Sequence, residues 1–229
     1  MDRDTRTLAI NQQAYIEGMV EKFGMAQAKL VSMPMELGVQ FSVDQCLSSA
    51  KKVARMHGVL YIQAIGRVLW PVVVLQPDAA YVVGVMSQFM QNSGPAHWEG
   101  LKRIINYLGC TIDLWLTFGG QNEMMVEGFC NADWASKKHR HLISGFSFHF
   151  SVMAISWSSK KQGVMLLLST EVEYVVQTHA AKEGIWLRSF MKEIRGGEEK
   201  PLTISCDNQG AIALAKDNKF HARTKYIDL

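Results

Sequence analysis

The second half of the sequence contains strand-like and helix-like hydrophobic patterns, and their order limits the folds that this chain can adopt. Three strand-like runs come first, and a long helical pattern, a further strand and a final helix follow. In chain order these segments are Val126–Cys130, Phe146–Phe150, Ala154–Trp157, Ser169–Ile194, Leu202–Cys206 and Gln209–Lys216. The run 146–150 alternates with a period of two, as a strand with one buried face does. This order predicts an α/β fold, a mixed sheet with flanking helices.

Residues 1–120 have a different character, because their apolar positions repeat with the spacing of helices. Tyr15–Phe23 has such a stripe, and further helical segments follow Pro77. Residues 37–58 are polar and without periodicity, which predicts a loop. We therefore predict two domains, a mainly helical segment over 1–120 and the α/β domain over 121–229.

Composition and charge bear on whether the chain binds nucleic acid or spans a membrane. The chain has 229 residues, and its 24 Lys and Arg against 21 Asp and Glu leave a net charge of only +3. That charge does not by itself predict nucleic-acid binding, although it permits a local basic face. The longest apolar stretches, around Val68–Leu75 and Val164–Leu168, are shorter than the roughly 20 residues that a membrane span needs. We expect an intracellular protein with no membrane partner.

The four cysteines are widely scattered, and no pair has the C-x-x-C spacing of a zinc or redox motif. We interpret Cys46, Cys110, Cys130 and Cys206 as reduced thiols that serve as small buried apolar residues.

Acidic residues stand where the predicted elements begin or end. Asp133 follows the first strand, Glu171 and Glu173 open the long helix, and Asp207 ends a later strand. Open α/β sheets place functional groups at strand ends. Carboxylates that converge there from three elements would bind hard divalent cations. Two such ions can activate a water molecule and stabilise the leaving oxygen in phosphodiester cleavage.

Each of these acids also has a purely structural interpretation. Thr170-x-x-Glu173 matches a capping box, in which the glutamate satisfies backbone donors at the helix start. Glu171 would interact favourably with the helix dipole. Asp207-Asn208 fits the cap of the next helix. Spacing alone leaves both interpretations open.

Several short strings point further, and they cover residues 126–229. They are Asn131-Ala132-Asp133-Trp134-Ala135, Ser144-Gly145-Phe146, Ile155–Gln162, Leu168–Tyr174, Ala180–Glu183, Cys206–Ile212 and His221–Asp228. In order and spacing they resemble the ribonuclease H region of copia-type retrotransposon Pol polyproteins. A second group of strings is Tyr15–Glu17, Lys22–Met25, Ile65-Gly66, Gln76–Tyr81, Ser87–Met90, His97–Glu99 and Lys102–Leu108. This group resembles the thumb and connection of the same element's reverse transcriptase.

The resemblance implies a ribonuclease H-like mixed sheet, preceded by a helical thumb and connection segment. The chain stops before the family's last strand and helix, so we expect a C-terminally truncated copy. The implied activity is endonucleolytic cleavage of RNA in RNA–DNA hybrids with two Mg²⁺ or Mn²⁺ ions. The implied partners are the hybrid and the palm and fingers of the parent polyprotein. The implied location is a cytoplasmic virus-like particle or the nucleus.

The resemblance also implies a set of catalytic residues. The family reads Asp-Ala-Asp-Trp-Ala where this chain begins with Asn131, which offers an oxygen but no negative charge. The metal ligands carried over are Asn131, Glu173 and Asp207. Asp133 shares a face with Asn131 if the strand continues, so it is an alternative third ligand. A catalytically inactive nucleic-acid-binding or interaction remnant of the same fold is the alternative function.

Substrate contacts would go mainly to phosphates and 2′-hydroxyls, without reading of sequence. The candidate residues are Ser158, Lys160, Lys161, Asn208, Arg223 and Lys225. The two adjacent lysines also fit an ordinary solvated turn.

Overall fold

The computed structural model describes residues 2–29, 31–119, 125–133, 143–150, 153–162, 169–195 and 201–216. Of Arg55, Asp133, Ser169 and Arg195 it describes the backbone alone. Helices and a mixed sheet are both present, so the predicted α/β class is confirmed. The chain divides into two compact units, a helical unit, Leu8–Thr117, and an α/β unit, Phe118–Leu229 together with Asp2–Thr7. Within the described part of the chain, no helix combines the length and apolar character needed to cross a bilayer.

The helical unit is built on five helices. They are α1 (Gln13–Lys22), α2 (Ala50–Met56), α3 (Tyr61–Val74), α4 (Ala80–Ser87) and α5 (Pro95–Cys110). Two strands, β1 (Thr7–Ile10) and β2 (Leu116–Gly119), pair in a small sheet. The core contains Met19, Ile65, Met86 and Leu101, all fully buried. The helical periodicity predicted for this half of the chain is therefore confirmed.

The loop predicted for residues 37–58 is wrong in its second part, where α2 forms. The Ser49 hydroxyl caps this helix and accepts a hydrogen bond from the Lys52 backbone N–H at 3.4 Å. None of the described side chains of α2 is buried. An exposed helix needs no apolar stripe, so periodicity could not reveal it.

The α/β unit contains a four-stranded sheet with two helices. Its elements are β3 (Val126–Asp133), β4 (Ile143–Phe150), β5 (Met153–Lys161), α6 (Ser169–Arg195), β6 (Thr203–Ser205) and α7 (Gln209–Lys216). The strand order is β5-β4-β3-β6. The first three strands are antiparallel neighbours, whereas β6 runs parallel to β3. The carboxyl ends of β3 and β6 therefore meet at the same edge of the sheet.

The core of this unit lies between the sheet and α6. Phe148 of β4 is fully buried and packs in one cluster with Val176 and Ala180 of α6. A Cβ atom added at Gly128 would lie 2.4 Å from Cε1 of the Phe148 ring, and one added at Gly184 would lie 3.4 Å from its Cζ. These two glycines make room for the ring, and they let α6 lie close to the sheet.

Candidate metal centre

Three side chains meet at the edge where β3 and β6 end. They are Glu173 from the first turns of α6, and Cys206 and Asp207 directly after β6. One carboxylate oxygen of each acid and the cysteine sulfur all lie within 4.8 Å of one another. The parallel pairing of β6 with β3, from Glu127 opposite Thr203 onwards, puts this end of β6 beside the end of β3, where Ala132 bonds to Glu173 of α6. We call these three residues the edge cluster.

Glu173 is the buried member of the edge cluster, with only 8% of its surface exposed. Its Oε1 accepts a hydrogen bond from the backbone N–H of Ala132 in β3 at 3.3 Å. Its Oε2 is buried and has no hydrogen-bond partner among the described residues. The capping-box interpretation is wrong, because Thr170 already lies inside α6 and the carboxylate bonds to another element.

Burial raises the pKa of Glu173 above its usual value. The Ala132 N–H opposes this by stabilising the carboxylate, and the negative charge of Asp207 raises the pKa further. A buried carboxylate beside a second one is costly in its ionised form, and a bound cation removes that cost.

Asn208, rather than Asp207, caps α7. The Asn208 Oδ1 accepts the backbone N–H of Ala211 at 2.9 Å. A Cβ atom added at Gly210 would lie 3.1 Å from Cγ2 of Thr170 and 3.2 Å from the Asn208 Oδ1, so this glycine allows α7 to begin close to α6. The cap leaves the Asp207 carboxylate to the edge cluster. It uses the oxygen of the Asn208 amide, whereas the predicted substrate contact would use the N–H group of that amide.

Cys206 is the member of the edge cluster that sequence reasoning missed. It is half-buried, and its Sγ accepts a hydrogen bond from Gln177 Nε2 of α6 at 3.0 Å. Cys46 and Cys130 are buried as predicted, and burial raises the pKa of the Cys130 thiol to about 12. The prediction is wrong for Cys110, which is exposed on α5. The position of Cys206 in the sequence could have revealed its place in the edge cluster, because Cys206 directly precedes Asp207 at a strand end.

Apart from Asn208, the candidate substrate residues fall into two groups. Ser158, Lys160 and Lys161 belong to β5, which lies at one side of the four-stranded sheet, and both lysines are exposed. The solvated-turn interpretation of the lysine pair is therefore wrong, because both residues pair with β4. Arg223 and Lys225 lie outside the described residues.

Comparison with known proteins shows where this arrangement belongs. Over all 229 residues the chain is 39% identical to the retrovirus-related Pol polyprotein from transposon TNT 1-94 of Nicotiana tabacum. It is 31% identical over 223 residues, 96% of its length, to the Pol polyprotein from transposon RE1 of Arabidopsis thaliana. The chain belongs to the Pol polyproteins of copia-type retrotransposons. It spans 17% and 15% of the length of these two relatives.

A shorter protein also matches this Pol segment. The segment is 37% identical to the secreted RxLR effector protein 161 of Plasmopara viticola over 142 residues. The match covers 62% of the segment and the whole length of the effector protein. No protein-family model matches the Pol segment. No solved structure matches it either.

The family position of the first acid, Asn131, lies in β3 between Cys130 and Ala132, whose side chains pack in the core with α6. β3 continues through Asp133, which meets the condition for Asn131 and Asp133 to share a face. Asn131 is exposed and opposes Gly145 of β4. Its neighbour Ala132 holds Glu173 through the hydrogen bond described above. The Asp133 side chain lies outside the described part of the chain, so its role as a substitute ligand stays a prediction.

We expect Glu173→Gln to remove a pH dependence from the stability of the Pol segment. The pKa of folded Glu173 is raised above its reference value of 4.5, so the protonated carboxyl favours the folded state. That contribution is fully present below pH 4.5 and is lost as pH rises through the folded pKa. Glutamine is never charged, and it keeps an acceptor for Ala132. The variant should therefore gain stability over the parent as pH rises to neutral.

Urea denaturation at a series of pH values measures this difference. Glu171→Gln is the matched control, since it makes the same change two residues earlier in α6, outside the edge cluster. Parallel stability curves for the parent and Glu173→Gln across the whole range would contradict the prediction.

Proposed function

We propose that residues 121–229 of this Pol segment form a ribonuclease H-like domain that cleaves the RNA strand of RNA–DNA hybrids. The proposal depends on one observation. The carboxylates of Glu173 and Asp207, the second and third acids implied by the family strings, lie side by side where two parallel strands end. Residues 1–120 would then be the thumb and connection of the polyprotein's reverse transcriptase, whose palm and fingers are the expected partner.

The sheet topology supports a ribonuclease H-like arrangement. An antiparallel β3-β4-β5 meander is followed by α6 and then by β6, which pairs in parallel with β3. This order is compatible with the mixed sheet implied by the resemblance. It also explains why the two acids lie close together, because Glu173 near the start of α6 lies beside Asp207, which follows the end of β6.

The edge cluster suits a divalent cation. Oε2 of Glu173 is a buried acceptor with no hydrogen-bond partner in the described part of the chain, which leaves it open to water or a cation. The adjacent Asp207 adds a second negative group. Glu173, Asp207 and the amide oxygen of Asn131 would hold Mg²⁺ or Mn²⁺, which prefer oxygen ligands. When bound, such ions supply Lewis-acid stabilisation of phosphoryl oxygens and activation of water.

The residues of β5 would hold the hybrid itself. Lys160 and Lys161 are exposed at the end of this strand, and Ser158 precedes them on the same strand. Contacts from lysine and serine to phosphates are independent of base sequence, as expected for a nuclease that recognises a hybrid by its backbone. The expected location is a cytoplasmic virus-like particle or the nucleus, where such hybrids form.

The identity of Asn131 favours a second candidate function. A neutral amide at the first acidic position removes one negative charge from the ligand set, which weakens binding of the cations. In this alternative the fold is retained as a nucleic-acid-binding or interaction module without turnover.

Restoring the acid with Asn131→Asp separates the two functions. We expect the variant to cleave a labelled RNA–DNA hybrid at least about tenfold faster than the parent in Mg²⁺ or Mn²⁺, because even supporting residues around a metal are worth about 10- to 100-fold. Asn106→Asp makes the same chemical change on α5 and should leave the rate unaltered.

The contrary results are equally clear. Hybrid binding without cleavage in both the parent and Asn131→Asp would establish the non-catalytic alternative. A parent that cleaves as fast as Asn131→Asp would show that position 131 is not a metal ligand.

A further inference from the structure

The sulfur of Cys206 distinguishes the edge cluster from an all-oxygen magnesium site. It lies within 4.8 Å of carboxylate oxygens of both Glu173 and Asp207, a separation that allows all three atoms to bind one ion. Mg²⁺ takes oxygen ligands, whereas thiolate sulfur favours softer ions such as Zn²⁺. The chemistry of the donor set therefore differs from that implied by the family strings.

The unpartnered oxygen of Glu173 is a second and independent indication of a ligand. This side chain is more than nine-tenths buried, and its Oε2 has no hydrogen-bond partner within the described residues. Its other oxygen is fixed by the Ala132 N–H at 3.3 Å, so the carboxylate is held in one orientation. A buried carboxylate that is fixed on one side and unsatisfied on the other is preorganised to bind a cation.

Gln177 supports Cys206 in the same manner. Its side-chain N–H group donates to the Cys206 sulfur at 3.0 Å from one turn further along α6 than Glu173. A hydrogen bond donated to sulfur stabilises negative charge on it and fixes its position. Supporting contacts of this kind orient the ligands of protein metal sites.

We propose that Glu173, Cys206 and Asp207 bind a single zinc-class cation, such as Zn²⁺, Co²⁺ or Cd²⁺, in preference to Mg²⁺. Two carboxylates and one thiolate supply three negative charges, so the thiolate provides the charge that Asn131 lacks. Binding releases the thiol proton to solvent. Three protein ligands leave a fourth tetrahedral position for water or a phosphate oxygen, as in catalytic zinc sites.

This inference rests on the proposed cation-binding role of the edge cluster, but it does not require cleavage. It predicts that zinc competes with magnesium for Glu173 and Asp207. Zinc should therefore inhibit any magnesium-dependent cleavage of the hybrid by this chain.

Cobalt titration of the full chain tests the proposal by spectroscopy. We expect a sulfur-to-cobalt charge-transfer band and the intense visible bands of a tetrahedral site, both displaced by Zn²⁺ but not by equal Mg²⁺. Cys206→Ser should abolish the charge-transfer band and weaken zinc binding by at least about tenfold. Cys110→Ser is the matched control, because it removes an exposed thiol of α5, in the helical unit, and should keep the band.

Glu173→Gln and Asp207→Asn provide independent variants if Cys206→Ser does not fold. Each keeps the thiol and should weaken cobalt binding. A charge-transfer band that persists in Cys206→Ser, that disappears in Cys110→Ser, or that is absent from the parent would overturn the proposal. So would displacement of cobalt by equimolar Mg²⁺.

The result is separable from that of the nuclease test. A cobalt band that depends on Cys206, with no cleavage by Asn131→Asp, would retain the metal site and reject the proposed catalysis. Cleavage by Asn131→Asp without a sulfur band would reject Cys206 as a ligand and retain the nuclease.

Discussion

Replacement of Phe148 by alanine is expected to lower the free energy of unfolding of the α/β unit by about 3–5 kcal/mol. Phe148 is fully buried between the sheet and α6, and its ring lies against Gly128 and Gly184, where a Cβ atom would meet it. Because neither glycine has a side chain that could move into the space, the variant keeps most of the cavity. A loss of this size is a large part of the stability of a typical domain.

Urea denaturation of the full chain, followed by far-ultraviolet circular dichroism, measures the loss. Phe129→Ala is the matched control, because that phenylalanine lies on the neighbouring strand with 46% of its surface exposed. We expect it to cost far less. Phe148→Leu keeps more of the volume and should fall between the two. Equal losses for Phe129→Ala and Phe148→Ala would show that the core is not where we place it.

Substitution of Glu173 by glutamine in the Asn131→Asp background should reduce hybrid cleavage by about a thousandfold. A catalytic metal contributes several kcal/mol of transition-state stabilisation, and each 1.36 kcal/mol is a factor of ten in rate. Glutamine keeps the shape of the side chain and an acceptor for the Ala132 N–H, so the loss would be one of charge rather than of fold. Single-turnover cleavage of a labelled hybrid measures it.

Asp207→Asn should have an effect of similar size, and Glu171→Gln should leave cleavage close to that of Asn131→Asp. The Glu173→Gln variant has a further property that a merely structural role would not give. It should be more stable than its parent at neutral pH while being far less active, as expected where a site retains a costly charge for function. Full cleavage by Glu173→Gln would reject Glu173 as a metal ligand.

Long periodic segments were predictable from the sequence. The helix predicted over residues 169–194 is observed as Ser169–Arg195, and α7 has the bounds predicted for it. Both patterns depend on apolar positions that face a core, and such positions recur with the helical repeat. The strand predicted as Val126–Cys130 is longer in the structure and continues to Asp133. The polar end of this strand is held by pairing with β4. Such pairing leaves no apolar pattern in the sequence, so the prediction stopped too early.

The two acids of the candidate site could be predicted from the sequence, but the cysteine sulfur beside them could not. Glu173 and Asp207 stand at element ends, where topology alone brings side chains together. The proximity of Cys206 depends on which way its side chain points after β6 ends, and on Gln177 one turn along α6 from Glu173. Spacing along the chain carries no such directional information. For the same reason the sequence could not decide between Asp207 and Asn208 as the cap of α7.

β6 is a strand of only three residues, and its pairing with β3 joins three opposed pairs, from Glu127 with Thr203 to Phe129 with Ser205. Side chains alternate between the two faces of a sheet, so a slip by one position would turn the residues that follow to the opposite side. One inserted codon between Ser205 and Cys206 would misdirect both proposed ligands that follow β6 and leave the buried core intact. A copy of this Pol segment could therefore lose the proposed metal site through a single insertion while it keeps its fold.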